Sequence, residues 1–164
     1  MISDKLIKVG MADLNIASNG EVLKTTGLGS CVGLTLYDPR KHLAGMAHVM
    51  LPSSSIAREN PVNIAKYADT AIPRLIELLL KNGASMNTLR AKMAGGSQMF
   101  TLPGQNDTLR IGPRNVESCL LLLEEYKIPL LAQDTGGNFG RTIEINSDNG
   151  ILSVRSVQFG TKEL

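Results

Sequence analysis

The feature that most narrows the folds open to this chain is a pair of short apolar segments, residues 31–38 and 42–51, joined through Asp38-Pro39-Arg40-Lys41. Both are rich in Val, Leu, Met and Ala, and the joint is made of turn residues, so the two read as an antiparallel hairpin. A turn centred between Pro39 and Arg40 sets Val32 opposite Ala47, Leu34 opposite Gly45 and Leu36 opposite Leu43, an apolar face. On the other face the same register sets Cys31 directly opposite His48. A slip of one residue would abolish that pairing.

Two further segments in the N-terminal third, 6–12 and 22–26, also read as strands. Beyond Pro52-Ser53-Ser54-Ser55 the apolar period lengthens. Ile72, Leu75, Ile76, Leu79 and Leu80 mark one face of a helix that Gly83 stops, with Pro73 implying a kink or break near its middle. A second helix is expected from about Pro113 to Tyr126, with Val116, Cys119, Leu120 and Leu123 as its apolar stripe. Strands return at 89–93, 130–133, 142–145 and 151–157, with Asp148-Asn149-Gly150 turning between the last two. Strands, helix, strand, helix, strands is the order of an α+β layered sandwich rather than of repeated βαβ units. The length and even composition predict one domain over 1–164, without repeats or linker.

Charge and composition exclude several functions. A net charge of +2, from 17 basic and 15 acidic residues, gives no clustered cationic surface for a polyanion, and three Phe, three Tyr and no Trp leave little to stack on bases. Nucleic acid is not an expected partner. The opening Met1-Ile2-Ser3-Asp4-Lys5 has no signal-peptide pattern, and no apolar run approaches the roughly 20 residues that span a bilayer, so a cytoplasmic protein without membrane insertion is expected. No His, Cys, Asp and Glu group has metal-ligand spacing, and neither Gly95-Gly96 nor Gly136-Gly137-Asn138-Phe139-Gly140-Arg141 has the spacing of a nucleotide loop. No metal or cofactor is expected, and these glycines read as tight turns beside a cleft.

Of the two cysteines, Cys119 belongs to a helical apolar stripe and reads as core. Cys31 is different, because the thiolate is the reactive form and an imidazole beside it can take the thiol proton and later return it to a leaving amine. Such a base needs a third group to fix its tautomer, for which Thr25 and Thr26 are candidates, brought back by the loop Gly27-Leu28-Gly29-Ser30. Gly29 and Ser30 leave the amides beside Cys31 unobstructed, as an oxyanion hole requires. His42, beside the charged turn, reads as solvated. A redox thiol is a competing reading, but no resolving cysteine lies nearby in the sequence.

Thr25-Thr26-Gly27-Leu28-Gly29-Ser30-Cys31-Val32-Gly33 and Gly45-Met46-Ala47-His48-Val49-Met50-Leu51-Pro52 resemble the signature of the CheD family, the chemoreceptor glutamine deamidases. Lys66-Tyr67-Ala68-Asp69-Thr70-Ala71, Lys92-Met93-Ala94-Gly95-Gly96, Ile111-Gly112-Pro113-Arg114-Asn115, and Asp134-Thr135-Gly136-Gly137 with Gly140-Arg141 match in order. The resemblance implies a layered sandwich related to the catalytic domain of deamidating bacterial toxins. It implies Cys31 as nucleophile, His48 as base and Thr25 as orienting residue, with no catalytic role for Thr26. The implied reaction converts glutamine to glutamate on the cytoplasmic helical bundle of methyl-accepting chemotaxis receptors, with glutamyl methylesterase activity through the same thioester. A CheC-type phosphatase is the second implied partner, and a regulatory module acting mainly through that phosphatase is the alternative to catalysis. Phe100, an aromatic in a loop, is the expected contact residue for such a partner.

Overall fold

In the computed structural model, which describes residues 5–99 and 110–164, the strand-forming segments build two five-stranded sheets rather than one. The first combines β1 (Leu6–Lys8), β3 (Val22–Leu28), β8 (Arg141–Asn146), β9 (Leu152–Ser156) and β10 (Gly160–Glu163), in that order. The second runs β2 (Leu14–Ser18), β5 (Leu43–Val49), β4 (Val32–Asp38), β6 (Arg90–Gly95) and β7 (Leu130–Thr135). Pairs β1–β3 and β6–β7 are parallel and the others antiparallel, so both sheets are mixed. The α+β layered sandwich expected from the element order is the architecture observed.

Helices α1 (Ala68–Lys81) and α2 (Ile111–Glu125) cover one face of the second sheet. Val32, Leu34, Leu36, Ala47 and Val49 point that way and meet Ile72, Leu75, Leu79, Cys119 and Leu123. Gly45 lets α1 come close, since a Cβ there would lie 2.9 Å from Leu75 Cδ1. The opposite face of the same sheet packs on the first sheet: Cys31, Ala44, Met46 and Ala94 meet Leu23, Leu28, Ile143 and Val154. The two cysteines therefore lie in different cores and are free.

Several expectations are corrected. α1 begins before its apolar stripe, so Pro73 falls in the second turn and the helix continues through it. One i→i−4 bond is lost where the helix would otherwise have broken. Leu80 and Leu120 are exposed, because each lies at the edge of its stripe; the buried face of α2 is turned toward Gly112 and Asn115. The segment expected as strand over 6–12 ends at Lys8, and β2 and β10 were not foreseen. Both are edge strands, and β10 is exposed along its whole length, so neither carries the apolar alternation that marks a strand.

The hairpin register also differs. Observed pairs are Val32 with Val49, Gly33 with His48, Leu34 with Ala47 and Leu36 with Gly45. The loop holds four residues between Asp38 and Leu43, closed by Asp38 Oδ1 accepting the Arg40 amide and by His42 at φ +49°. This moves the pairing by two residues from the register expected, and a shift of two keeps every side chain on its face.

Candidate active site

Three strand ends converge between the sheets. His48 donates its backbone amide to Asp13 of the preceding segment, at 2.9 Å, so toward β4 it forms a non-hydrogen-bonded pair with Gly33. In such pairs the backbones approach most closely. A glycine opposite leaves room for the imidazole, and the space is tight: a Cβ on Gly33 would sit 2.4 Å from Ile143 Cδ1. Cys31, two residues before Gly33, shares that face and stands diagonal to His48, a separation of about 7–8 Å between backbones that a long side chain spans.

The third residue comes from the other sheet. β3 pairs with β8 in regular register to Thr25 opposite Ile143, then skips to Leu28 opposite Arg141, a bulge with Gly27 at φ +72°. The extra residue turns Thr25 and Leu28 both inward and leaves Thr26 and Gly27 exposed. Thr25 Oγ1 lies 2.6 Å from His48 Nδ1. Thr26 points to solvent and takes no part. With the Nδ1 proton donated to the threonine oxygen, Nε2 is left as the basic nitrogen, and Nε2 is buried without a hydrogen-bond partner.

Burial grades the three: His48 is fully enclosed, Thr25 nearly so, and Cys31 keeps 8% of its surface open, so an incoming group meets the sulfur first. Burial pushes the Cys31 thiol up, opposed by its own backbone amide, and pushes the His48 imidazole down. Both effects favour a neutral thiol beside a neutral imidazole, not a standing ion pair.

The segment before Cys31 is held from below. Its carbonyl accepts the Gly96 amide at 2.9 Å, and the Gly29 carbonyl accepts the Ser97 amide at 2.8 Å. Gly95, at φ +111°, lies so close that a Cβ would stand 2.2 Å from the Cys31 carbonyl oxygen. Ser97 is in turn fixed by Arg141, whose Nη1 donates to Ser97 Oγ at 2.9 Å and whose Nε donates to Asp134 Oδ2 at 3.3 Å. From α2, Asn115 Nδ2 donates to the carbonyls of Ser30 and Met50, at 3.0 Å each. Sequence reasoning missed Gly33, Gly95, Ser97, Arg141 and Asn115 as parts of the site; Gly95-Gly96 did signal a tight approach, but not what approached.

Of the expected oxyanion residues, Gly29 commits its amide to the Gly27 carbonyl at 3.0 Å, and Ser30 gives its carbonyl to Asn115. Phe100 lies outside the described residues. His42 is exposed, with Nδ1 2.7 Å from the Asp148 carbonyl. Among the described residues no group of three or more His, Cys, Asp or Glu side chains could hold a metal. An open cleft of about 620 Å³ borders the bulge, lined by Gly27, Met99, Phe139, Arg141 and Val157 among others, with none of the three converging residues in its wall.

Fold and residues together define a class: an α+β sandwich carrying a thiol, an imidazole and a hydroxyl in line at the meeting of two sheets. Comparison with known proteins narrows it. The family model described as CheD chemotactic sensory transduction matches residues 50–156. The chain is 52% identical over 97% of its length to the chemoreceptor glutamine deamidase CheD of Halalkalibacterium halodurans, covering 98% of that protein. It is 46% identical over 97% of its length to that of Bacillus subtilis, covering 96% of it. To the probable chemoreceptor glutamine deamidase CheD of Geobacillus kaustophilus it is 47% identical over the full length of both. The chain belongs to the CheD family. The segment matched by the family model begins after His48, so Thr25, Cys31 and His48 rest on their own geometry.

Proposed function

We propose that this protein is a glutamine deamidase acting on methyl-accepting chemotaxis receptors, with Cys31 as nucleophile, His48 as general base and acid, and Thr25 as the residue that orients His48. The observation that carries the reading is the Thr25 Oγ1 to His48 Nδ1 contact of 2.6 Å, which leaves a buried, unpartnered Nε2 on the face that Cys31 shares. The relatives' names supply the substrate: chemoreceptor glutamine.

His48 Nε2 takes the Cys31 proton as the sulfur attacks the carboxamide carbon. The tetrahedral intermediate collapses when the imidazolium gives that proton to the nitrogen, releasing ammonia and leaving a thioester. Water then loses a proton to Nε2 and attacks the thioester carbonyl; the C–S bond breaks, glutamate leaves and the thiolate recovers the proton. Because the resting pair is neutral, proton transfer is coupled to attack rather than completed beforehand. The amide of Ser30 or Cys31 is the available oxyanion donor, since that of Gly29 is committed. A glutamyl methyl ester would pass through the same thioester with methanol as leaving group.

The receptor's cytoplasmic helical bundle and a CheC-type phosphatase are the proposed partners, in a cytoplasmic setting, and residues 1–164 the proposed functional domain. No helix among the described residues is long and apolar enough to cross a membrane, which is compatible with that setting. Mass spectrometry of a glutamine-bearing receptor fragment incubated with wild type and Cys31→Ala tests the reading. Conversion to glutamate by wild type alone is expected; conversion by both proteins would remove Cys31 from the mechanism. Retained phosphatase binding by Cys31→Ala would separate partner binding from catalysis.

A further inference from the structure

We propose that Asn115 is a positioning residue for the reaction, a clamp that holds the strand end bearing Cys31 against the strand end bearing His48. The proposal rests on the Cys31–His48 reading above and assigns a role to a side chain on a helix that contributes nothing else to the site.

The register of β4 with β5 ends at Val32 and Val49. Past that pair the strands part: the Met50 amide donates to Lys66, and the Cys31 carbonyl accepts from Gly96, each at 2.9 Å. The thiol and the imidazole thus stand where the ladder has just stopped constraining their spacing. One side chain rejoins the two ends. Asn115 is fully buried, and its Nδ2 donates one hydrogen to the Ser30 carbonyl, just before Cys31, and the other to the Met50 carbonyl, two residues after His48.

The orientation of the amide shows that donation is its purpose. Turned over, its oxygen would face two carbonyl oxygens; as it stands, both N–H groups are used and Oδ1 is buried without a partner. An unsatisfied buried acceptor is tolerated where the donors on the same group have something to hold. Packing alone would be met by an apolar residue, as on the rest of the buried face of α2, where Cys119 and Leu123 stand.

The test is a double-mutant cycle on Cys31 itself, read as the rate of alkylation by iodoacetamide at neutral pH, which needs no receptor. In the wild-type background His48→Ala should slow alkylation by about tenfold or more, the thiolate fraction that one pKa unit controls. In Asn115→Ala, the same His48→Ala change should alter the rate by less than about twofold, because sulfur and imidazole are no longer held together. Asn115→Asp, which keeps the volume but loses the paired donors, provides the second background if the alanine variant does not fold, with native folding checked by thermal unfolding. With a receptor fragment as substrate, the Asn115 variants should lose about tenfold or more in kcat at a KM within about twofold of wild type.

An equal His48→Ala effect in both backgrounds would overturn the clamp while leaving the Cys31–His48 reading intact. No effect of His48→Ala in the wild-type background would overturn the reading itself, and the clamp with it.

Discussion

Gly95→Ala places the smallest side chain against the backbone of the proposed nucleophile. The new Cβ would lie 2.2 Å from the Cys31 carbonyl oxygen and 3.3 Å from the Val32 Cα, both backbone atoms that cannot swing aside as a side chain would. Restoring ordinary contact needs a displacement of about 1 Å, which also stretches the Gly96-to-Cys31 hydrogen bond. Overpacking of this kind costs about 1–3 kcal/mol, and an L residue at φ +111° adds about 1–2 kcal/mol, giving about 2–5 kcal/mol in all. Gly160→Ala separates the two contributions, since Gly160 has φ +68° and nothing within 4 Å of an added Cβ. It should cost only the backbone share and leave turnover unchanged. Because a shift of about 1 Å at a reacting atom lowers rate by about a hundredfold, Gly95→Ala should also lose about that much in kcat. Urea unfolding and steady-state deamidation measure the two effects. A Gly95→Ala protein no less stable than Gly160→Ala, with wild-type turnover, would refute the argument that this glycine seats Cys31.

Thr25→Val keeps the volume but removes the oxygen at His48 Nδ1; kcat should fall by about ten- to a hundredfold at unchanged KM, and Thr25→Ser should recover most of it, as steady-state kinetics will report. Arg141→Met leaves Asp134 with Lys162 alone, 3.1 Å away, and strips Ser97 of a donor. Because Asp134 retains that partner and some solvent, the loss in denaturant unfolding should be about 2–3 kcal/mol, below the full cost of an orphaned buried charge. For pH, His48 lies below its ordinary 6.5, so stability is complete above that value and falls as acid protonates the unfolded imidazole first. Cys31 is raised from 9.0 and Cys119 from 9.0 to about 12, so stability is complete below pH 9.0 and falls as base ionises the unfolded thiols. Urea midpoints across pH should therefore form a plateau between 6.5 and 9.0, and Cys119→Ala should about halve the alkaline slope.

Elements with a strong apolar period were legible in the sequence: both helices, the central hairpin, and the buried strands β3, β6, β8 and β9. Edge strands were not, since β2 and β10 face solvent or carry polar residues and show no alternation. The hairpin is instructive because its register was misjudged by two residues and its consequence survived. The loop length depends on His42 adopting a left-handed conformation, which nothing in a histidine announces, whereas the face of each strand depends only on parity. Cys31 and His48 could be assigned to one side on that basis alone. That Thr25 rather than Thr26 meets the imidazole could not, because the choice is made by a bulge whose register shift appears only against β8. Asn115, Ser97 and Arg141 act through contacts distant in sequence, and no local pattern marks them.

The sheets contribute unequally to the proposed chemistry, and this sets what the fold must keep rigid. Thiol and imidazole come from neighbouring strands of one sheet, where Asn115 reinforces a spacing the ladder has ceased to fix. The hydroxyl comes from the other sheet, so the Nδ1 contact depends on how the two sheets pack rather than on any strand pairing. Gly33 bears on that spacing, since a Cβ there would collide with Ile143, the residue paired with Thr25. Enlarging Gly33 would push β8 away and carry Thr25 with it, separating hydroxyl from imidazole while leaving thiol and imidazole on their shared strands. The orienting contact is thus the part of the site most exposed to changes in the inter-sheet core, and the thiol–imidazole spacing the part most exposed to changes at the first turns of α2.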